Sequence, residues 1–286
     1  MLKIFNVKSI LRIITELNIW VALAVTSLCS ISFLDLRLPM DDTYLLLVFF
    51  GTITMYNFQR LIRMHVMVQE VYHLRARWYK KMYKWNWIGF LICLLPTVYF
   101  GLQIRLDNYI PLVMAAIISL LYPLPVYKSK KGWMRLRDFP FFKIILVSLV
   151  WAIVTLWIPR QLLHLVWDLN GVVQFVERFL FIFAITIPFD IRDMKYDKQL
   201  TIPKILGLKG ARLLSIALWC SFMVLFLWNH TFPVQDKQYY FLGIPVFIAG
   251  YYLIRNSNPQ RDPLYFSFWI ESLPIIQCTL YLLFLS

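Results

Sequence analysis

Long apolar segments separated by short polar connections follow one another along almost the whole chain. Runs of roughly 17–25 mainly apolar residues have the length of helices that cross a bilayer. Nine such runs predict membrane spans near Asn18–Leu34, Tyr44–Ile62, Trp85–Leu102, Tyr109–Tyr127, Phe139–Ile158, Val172–Phe189, Ala211–Trp228, Tyr239–Ile254 and Tyr265–Leu285. The pattern therefore predicts an all-α fold, a polytopic membrane helical bundle of about nine transmembrane helices that forms a single domain over residues 1–286.

The segment before the first apolar run has a different pattern. Residues 1–15 mix Lys3, Lys8 and Arg12 with apolar residues, which is typical of an amphipathic helix that lies along a membrane surface. The first apolar run is long and leads into further spans, and this does not favour a cleaved signal peptide. We predict that the segment is interfacial and contacts membrane lipids.

Composition and charge support the membrane interpretation. Of the 286 residues, 60% are hydrophobic and 15% are charged, whereas soluble domains are about half apolar and a quarter charged. A net charge of +14 would suggest nucleic acid in a soluble protein. Here Lys and Arg concentrate before the first span and in the even-numbered connections, where the positive-inside rule places cytoplasmic segments. The sequence predicts no nucleic-acid partner, a multi-pass protein of the cell (inner) membrane, a cytoplasmic N-terminus and a C-terminus outside.

Three carboxylates stand where the sixth predicted span ends. Asp190, Asp193 and Asp197 occupy positions i, i+3 and i+7, which share one stripe of a helix. Charge at the mouth of a membrane helix is costly and usually functional. The three side chains could hold a hard divalent cation, because oxygen ligands suit such ions, or they could pair with arginines.

A second polar group stands at the end of the second predicted span. Asn57 and Arg60 are three residues apart and share a helical stripe. The fourth connection adds basic residues, namely Lys128, Lys130 and Lys131. Two ionisable residues fall inside spans, and we consider a pair between Lys143 and Glu271. These positions predict a polar site on the cytoplasmic side of the bundle.

At these residues the chain resembles the UbiA superfamily of intramembrane prenyltransferases. The resemblance is carried by the Asp-Ile-Arg-Asp-x-x-x-Asp pattern at residues 190–197 and by the Thr-Ile-Pro…Leu-Gly sequence at residues 201–207. The nine-span layout and the Leu121-Tyr122-Pro123 turn before the three lysines are also similar to the family.

The resemblance implies a UbiA-like fold and an enzyme that transfers a prenyl group from a prenyl diphosphate to a lipophilic acceptor. It implies that magnesium bridges the diphosphate, and that Asp190, Asp193 and Asp197 are catalytic and metal-binding. It also implies that a set of polar and basic residues binds the diphosphate: Asn57, Arg60, Lys128, Lys130 and Lys131.

One departure from the family leaves two interpretations open. The first aspartate motif keeps Asn57 but has Phe58, Leu61 and His65 where aspartates belong. In the active interpretation, the second motif holds one magnesium ion and Arg60 helps to neutralise the diphosphate, which its planar guanidinium suits. In the inert interpretation, Arg60 pairs with the aspartates. The chain is then a pseudoenzyme that binds an isoprenoid phosphate or an anionic lipid, or scaffolds a partner.

Overall fold

The described part of the chain is almost entirely helical. The computed structural model describes residues 7–36, 39–67, 74–105, 109–129, 132–139, 141–195, 199–231 and 237–284. Its α-helices are α1 Val7–Glu16, α2 Ile19–Asp35, α3 Asp42–Met67, α4 Leu74–Gln103, α5 Ile110–Leu121, α6 Phe142–Ala152, α7 Ile158–Leu162, α8 Leu169–Asp193, α9 Ile202–Thr231, α10 Lys237–Arg255 and α11 Ser272–Phe284. The all-α membrane fold expected from the sequence is confirmed.

Apolar helices coincide with all nine predicted segments, but the count of nine spans is not confirmed. Among the described residues, six helices are long and apolar enough to cross a membrane. The number is seven if α1 and α2, which are bent by 68° relative to one another, form one span. The apolar parts of α5 and α10 are shorter. The chain is therefore a multi-pass membrane protein, with its longest apolar helices where the hydropathy pattern placed them.

A small β-hairpin corrects the predicted fourth span. The sequence predicts a span to Tyr127, but α5 ends at Leu121. Pro123 and Pro125 lack the N–H that a continuing helix needs. The chain instead forms two antiparallel strands, β1 Pro125–Ser129 and β2 Gly132–Arg135.

Two π-helical turns interrupt the helical spans. One, Ile153–Trp157, joins α6 to α7, and the other, Tyr265–Ile270, precedes α11. A π turn breaks the regular i to i−4 bonding and is frequent at functional sites. In the first turn, the carbonyl of Val154 accepts a hydrogen bond from Tyr44, and that of Thr155 accepts one from Ser32 at 2.6 Å. These bonds fix α2 and α3 against the last part of the fifth predicted span.

The core brings several helix ends to one end of the bundle. Helix α2 packs between α3 and α11, while α8 packs against α6 and α9. Trp219 of α9 is fully buried and donates its indole N–H to the carbonyl of Phe247 at 3.0 Å. Gly250 makes this approach possible, because a Cβ there would lie 2.1 Å from the Trp219 ring. One end of the bundle, which we call the site end, brings together the end of α3, the start of α6, the end of α8 and the start of α11.

Candidate functional site

Asp190 is buried at the site end and forms an ion pair there. Its side chain lies near the end of α8, is 2% exposed, and accepts a hydrogen bond from the ammonium group of Lys143 on the first turn of α6. A carboxylate in such a setting needs a partner, because desolvation disfavours an isolated charge by several kcal/mol. The ion pair therefore joins α6 to α8.

Asp193 is also paired with a cation. The guanidinium of the neighbouring Arg192 grips its carboxylate with two hydrogen bonds, each 2.9 Å long. The same guanidinium lies over the ring of Phe189 at 5.1 Å and over that of Phe266 at 5.8 Å. Cation–π contacts and the bidentate bond together hold Arg192 in one orientation at the mouth of α8.

The predicted stripe of three aspartates is thus seen in part. Asp190 and Asp193 both lie at the end of α8, but Asp197 lies outside the described residues. In the inert interpretation, these carboxylates pair with Arg60. Their ion-pair partners in the structure are Lys143 and Arg192.

Arg60 is held by a separate cluster of asparagines and by the end of α1. It donates to the side-chain oxygens of Asn18 at 3.0 Å and Asn86 at 3.4 Å. It also donates to the backbone carbonyl of Glu16, whose carboxylate lies 3.6 Å away. Asn18 in turn donates to the side-chain oxygen of Asn57 at 2.7 Å. We call Asn18, Asn57, Arg60 and Asn86 the Asn–Arg cluster.

Local backbone geometry explains how Asn18 reaches two partners. Asn18 links α1 to α2 with a φ of 61°, a left-handed conformation that asparagine tolerates better than most residues. Across the cluster, Gly89 of α4 leaves room for Asn57, because a Cβ there would lie 3.0 Å from its amide nitrogen. Asn18, Asn57 and Asn86 are each at most 3% exposed.

Glu271 lies between the two groups of charges. It follows directly after the π turn at Tyr265–Ile270, and its backbone N–H donates to the carbonyl of Phe266 at 3.4 Å. Its carboxyl interacts electrostatically with Arg192 and with Arg60. The sequence suggested a pair between Glu271 and Lys143, but Lys143 instead pairs with Asp190. Glu271 therefore lies close enough to both arginines for their charges to act on its carboxyl.

Helix α1 lies across the site end. Lys8 and Arg12 contact the carboxylate of Asp262, at 2.7 Å and 3.3 Å, in the connection before α11. The hydrogen bond from Lys8 holds the pKa of Asp262 below its usual range. On another face of the helix, Val7, Ile10 and Ile13 are exposed, as an interfacial amphipathic helix requires.

The basic residues of the fourth connection are only partly described. Lys128 is exposed on β1, and Lys130 and Lys131 lie outside the described residues. The hairpin is nevertheless linked to the segment after α8 through Asp138, whose carboxylate accepts hydrogen bonds from Arg135 of β2 at 2.9 Å and from Gln199 at 2.8 Å. Lys128 is thus on an element that reaches the neighbourhood of the second aspartate motif.

An apolar cavity begins beside the Asn–Arg cluster. Its volume is about 550 Å³, and it lies between α3, α4, α5 and α6. Tyr56, Phe58 and Gln59 line one end and are the immediate neighbours of Asn57 and Arg60 along α3. The structure therefore combines a long apolar pocket with a strongly polar end.

Within the described ranges, no three His, Cys, Asp or Glu side chains come together in a way that could hold a metal ion. Phe58 and Leu61, at two positions where the resemblance led us to expect aspartates, have apolar side chains that offer no ligand atoms. Asp190 and Asp193 both lie at the end of α8, and each carboxylate is ion-paired.

Sequence reasoning missed Asn18 and Asn86 as part of the site. Asn18 stands at the edge of a predicted span, where a polar residue is unremarkable. Asn86 stands inside one, between Trp85 and Trp87. A polar side chain inside an apolar run was the available signal, since such residues usually face the interior of a bundle.

Comparisons with known proteins give a consistent fold. No protein-family model matches the chain, and no curated protein matches it by sequence. Among solved structures, a UbiA homolog from Archaeoglobus fulgidus bound to GPP and Mg²⁺ matches with a TM-score of 0.63 and 12% identity, covering 94% of this chain and 98% of that one. The same homolog bound to DMAPP and Mg²⁺ also has a TM-score of 0.63 and 12% identity, over 94% of this chain and 97% of that one. A digeranylgeranylglyceryl phosphate synthase matches with a TM-score of 0.54 and 14% identity, over 94% and 96%. The chain therefore has the fold of the UbiA prenyltransferase homologues.

Proposed function

We propose that the chain binds a prenyl diphosphate and transfers its prenyl group to a lipophilic acceptor within the membrane. The observation that carries the proposal is the junction on α3, where the wall of the apolar cavity at Tyr56 and Gln59 adjoins Asn57 and Arg60. An amphiphile with an anionic head and a long apolar tail fits both halves of such a site.

Basic side chains at the site end suit the diphosphate. The charges of Arg60 and Arg192 both act on Glu271, so both arginines lie in its neighbourhood, and Lys143 lies beside Asp190 near the mouth of the same helix as Arg192. Arginine guanidinium groups bind phosphate oxygens with paired, charge-assisted hydrogen bonds. We assign the head group to the region between Arg60 and Arg192.

The described residues do not fit a magnesium ion as they are paired. Magnesium is held in proteins by one or two carboxylates together with substrate phosphates, and two of the fold neighbours were solved with it. Here Lys143 and Arg192 occupy the carboxylates of Asp190 and Asp193. A magnesium ion at these carboxylates would compete with both cations. We therefore assign neutralisation of the diphosphate to the three basic side chains.

The same residues support a substitution at the first carbon of the prenyl chain. The bond from this carbon to the diphosphate oxygen breaks, and its electron pair leaves with the diphosphate, whose charge Arg60, Lys143 and Arg192 stabilise. The aromatic ring of Tyr56, at the mouth of the cavity, faces the cation-like carbon. The acceptor forms the new bond and loses a proton, for which Glu271 is the candidate base.

Calorimetric titration with geranylgeranyl diphosphate tests the proposal. Wild-type protein should bind it, and Arg60→Gln should bind it at least about tenfold more weakly, a loss of about 1.4 kcal/mol. Arg255→Gln is the matched control, because it removes the same charge from an exposed position at the end of α10. Wild type that fails to bind, or equal effects of the two substitutions, would overturn the proposed site.

A second candidate function is a non-catalytic one, binding of an isoprenoid phosphate or anionic lipid. It is favoured by the ion pairs on Asp190 and Asp193, which leave these carboxylates engaged. Incubation with radiolabelled prenyl diphosphate and a lipid extract separates the two functions. Release of diphosphate together with a labelled lipid product supports the transferase, and binding without release supports the inert relative.

A further inference from the structure

The apolar cavity is lined by a regular stripe of α3. Leu47, Gly51, Met55 and Gln59 are spaced four residues apart, and all four line the cavity. Residues at this spacing lie one above the other on a helix. At 1.5 Å of rise per residue, each step along the stripe is about 6 Å. The stripe therefore marks depth into the cavity from its polar end.

The far end of the cavity has a wall. Tyr44 lines this end, is 1% exposed, and is fixed by donating its hydroxyl hydrogen to the carbonyl of Val154 in the π turn. Between Gln59 and Tyr44 the cavity extends over about 22 Å of helix. Its depth is thus set by a side chain whose position is fixed by another helix.

The length of the α3 stripe gives the size of the tail that the cavity can hold. An isoprene unit adds four carbon–carbon bonds of about 1.5 Å each, or about 5 Å when extended, so about 22 Å corresponds to roughly four units. The cavity volume of about 550 Å³ leaves room for a chain of this length.

Glycine keeps the middle of the cavity open. A Cβ at Gly51 would lie 3.7 Å from the Thr97 side chain, which is ordinary contact. A larger side chain at this position would extend into the volume that Gly51 and Thr97 both line. Deeper in, a Cβ at Gly101 would lie 3.7 Å from Leu47. Positions 51 and 47 are therefore two depths at which the tail can be blocked.

Building on the proposed function, we propose that the α3 stripe measures the donor's tail and that the site selects geranylgeranyl diphosphate. The third isoprene unit lies beside Gly51, the fourth lies beside Leu47, and Tyr44 excludes further units.

Titration of wild type and variants with dimethylallyl, geranyl, farnesyl, geranylgeranyl and solanesyl diphosphates tests this inference. Wild type should bind geranylgeranyl diphosphate most tightly and solanesyl diphosphate at least about tenfold more weakly. Gly51→Leu should keep wild-type affinity for the geranyl compound and lose about a hundredfold for geranylgeranyl, because about two units lose their pocket. Leu47→Trp should keep affinity for farnesyl and lose about tenfold for geranylgeranyl.

Leu95→Trp is the matched control, because Leu95 lies on α4, is 75% exposed and is not part of the cavity wall. It should leave all five affinities unchanged. Wild type that binds none of the five compounds would refute the proposed function itself. If wild type binds them but the variants weaken all tail lengths equally, or if solanesyl diphosphate binds as tightly as geranylgeranyl, the stripe does not measure the tail.

Discussion

Asn18 and Asn57, which are 39 residues apart in the chain, are joined by a buried side-chain hydrogen bond of 2.7 Å. Because Asn18 also accepts from Arg60 at 3.0 Å, this bond connects the start of α2 to the end of α3 and sets the position of the arginine. An amide network therefore holds this cation at the end of α3.

Substitution of Gly89 tests this network. Gly89→Ala should lower the free energy of unfolding by about 1 kcal/mol, because its Cβ would press on Asn57 at 3.0 Å and disturb a buried hydrogen bond. Gly51→Ala is the matched control: its Cβ would find ordinary contact at 3.7 Å, and alanine favours a helix by up to about 1 kcal/mol. Denaturant titration of both variants in detergent measures the difference. Equal stabilisation by both alanines would contradict the role of Gly89.

The ion pair between Asp190 and Lys143 gives a second prediction. Asp190→Asn should destabilise the protein, because it removes the charge of the carboxylate that pairs with the ammonium group of Lys143. For fully buried pairs such a loss is about 3–5 kcal/mol, and a smaller loss is expected here because the Lys143 side chain is 19% exposed. The Lys143→Met change should restore much of the stability in the double variant. Thermal unfolding measures both, with Asp42→Asn, at an exposed position of α3, as the control. An Asp190→Asn protein as stable as this control would show that the pair contributes little.

Much of the fold was accessible from the sequence, because a bilayer requires long apolar helices and hydropathy reports them directly. The location of Asp190 and Asp193 at one helix mouth followed from their spacing. Their partners did not, because Lys143 reaches Asp190 from another helix, and sequence spacing carries no information on packing between helices.

The asparagine partners of Arg60 were equally inaccessible to sequence reasoning. The contact between Asn18 and Arg60 depends on the left-handed backbone conformation of Asn18 itself, between α1 and α2. The contact between Asn86 and Arg60 depends on which side of α4 faces α3. The hairpin at Pro125–Arg135 was missed because apolar residues continued the hydropathy pattern past the point where the two prolines end α5. In each case, tertiary contacts or backbone geometry determine the structure, and the local sequence pattern does not report them.

The contact between α1 and Asp262 should depend on pH. The folded-state pKa of Asp262 is lowered by Lys8, so its contribution to stability is present above the ordinary aspartate pKa of about 3.9 and is lost as the pH falls through the lower folded value. A spin label at Ile10→Cys should become more mobile below about pH 4. With Asp262→Asn, the label should be mobile at every pH. Mobility that does not change with acid would mean that other contacts hold α1.

The orientation of the chain in the membrane is a further expectation. Lys and Arg crowd the N-terminal segment and the even-numbered connections, so the site end should face the cytoplasm. A reporter fused after Ser286 should be active when it requires a location outside the cytoplasm. Activity of a reporter that works only in the cytoplasm would contradict an odd number of spans or the inferred orientation.

The central claim is that basic side chains, rather than magnesium, neutralise the bound diphosphate. The most direct measurement is the Kd of wild-type protein for geranylgeranyl diphosphate, taken once in EDTA and once in excess magnesium. We expect the two Kd values to agree within about threefold, a difference of less than about 1 kcal/mol, with Arg60→Gln weakening both equally. Binding that is seen only with magnesium, or that is insensitive to Arg60→Gln, would contradict the account.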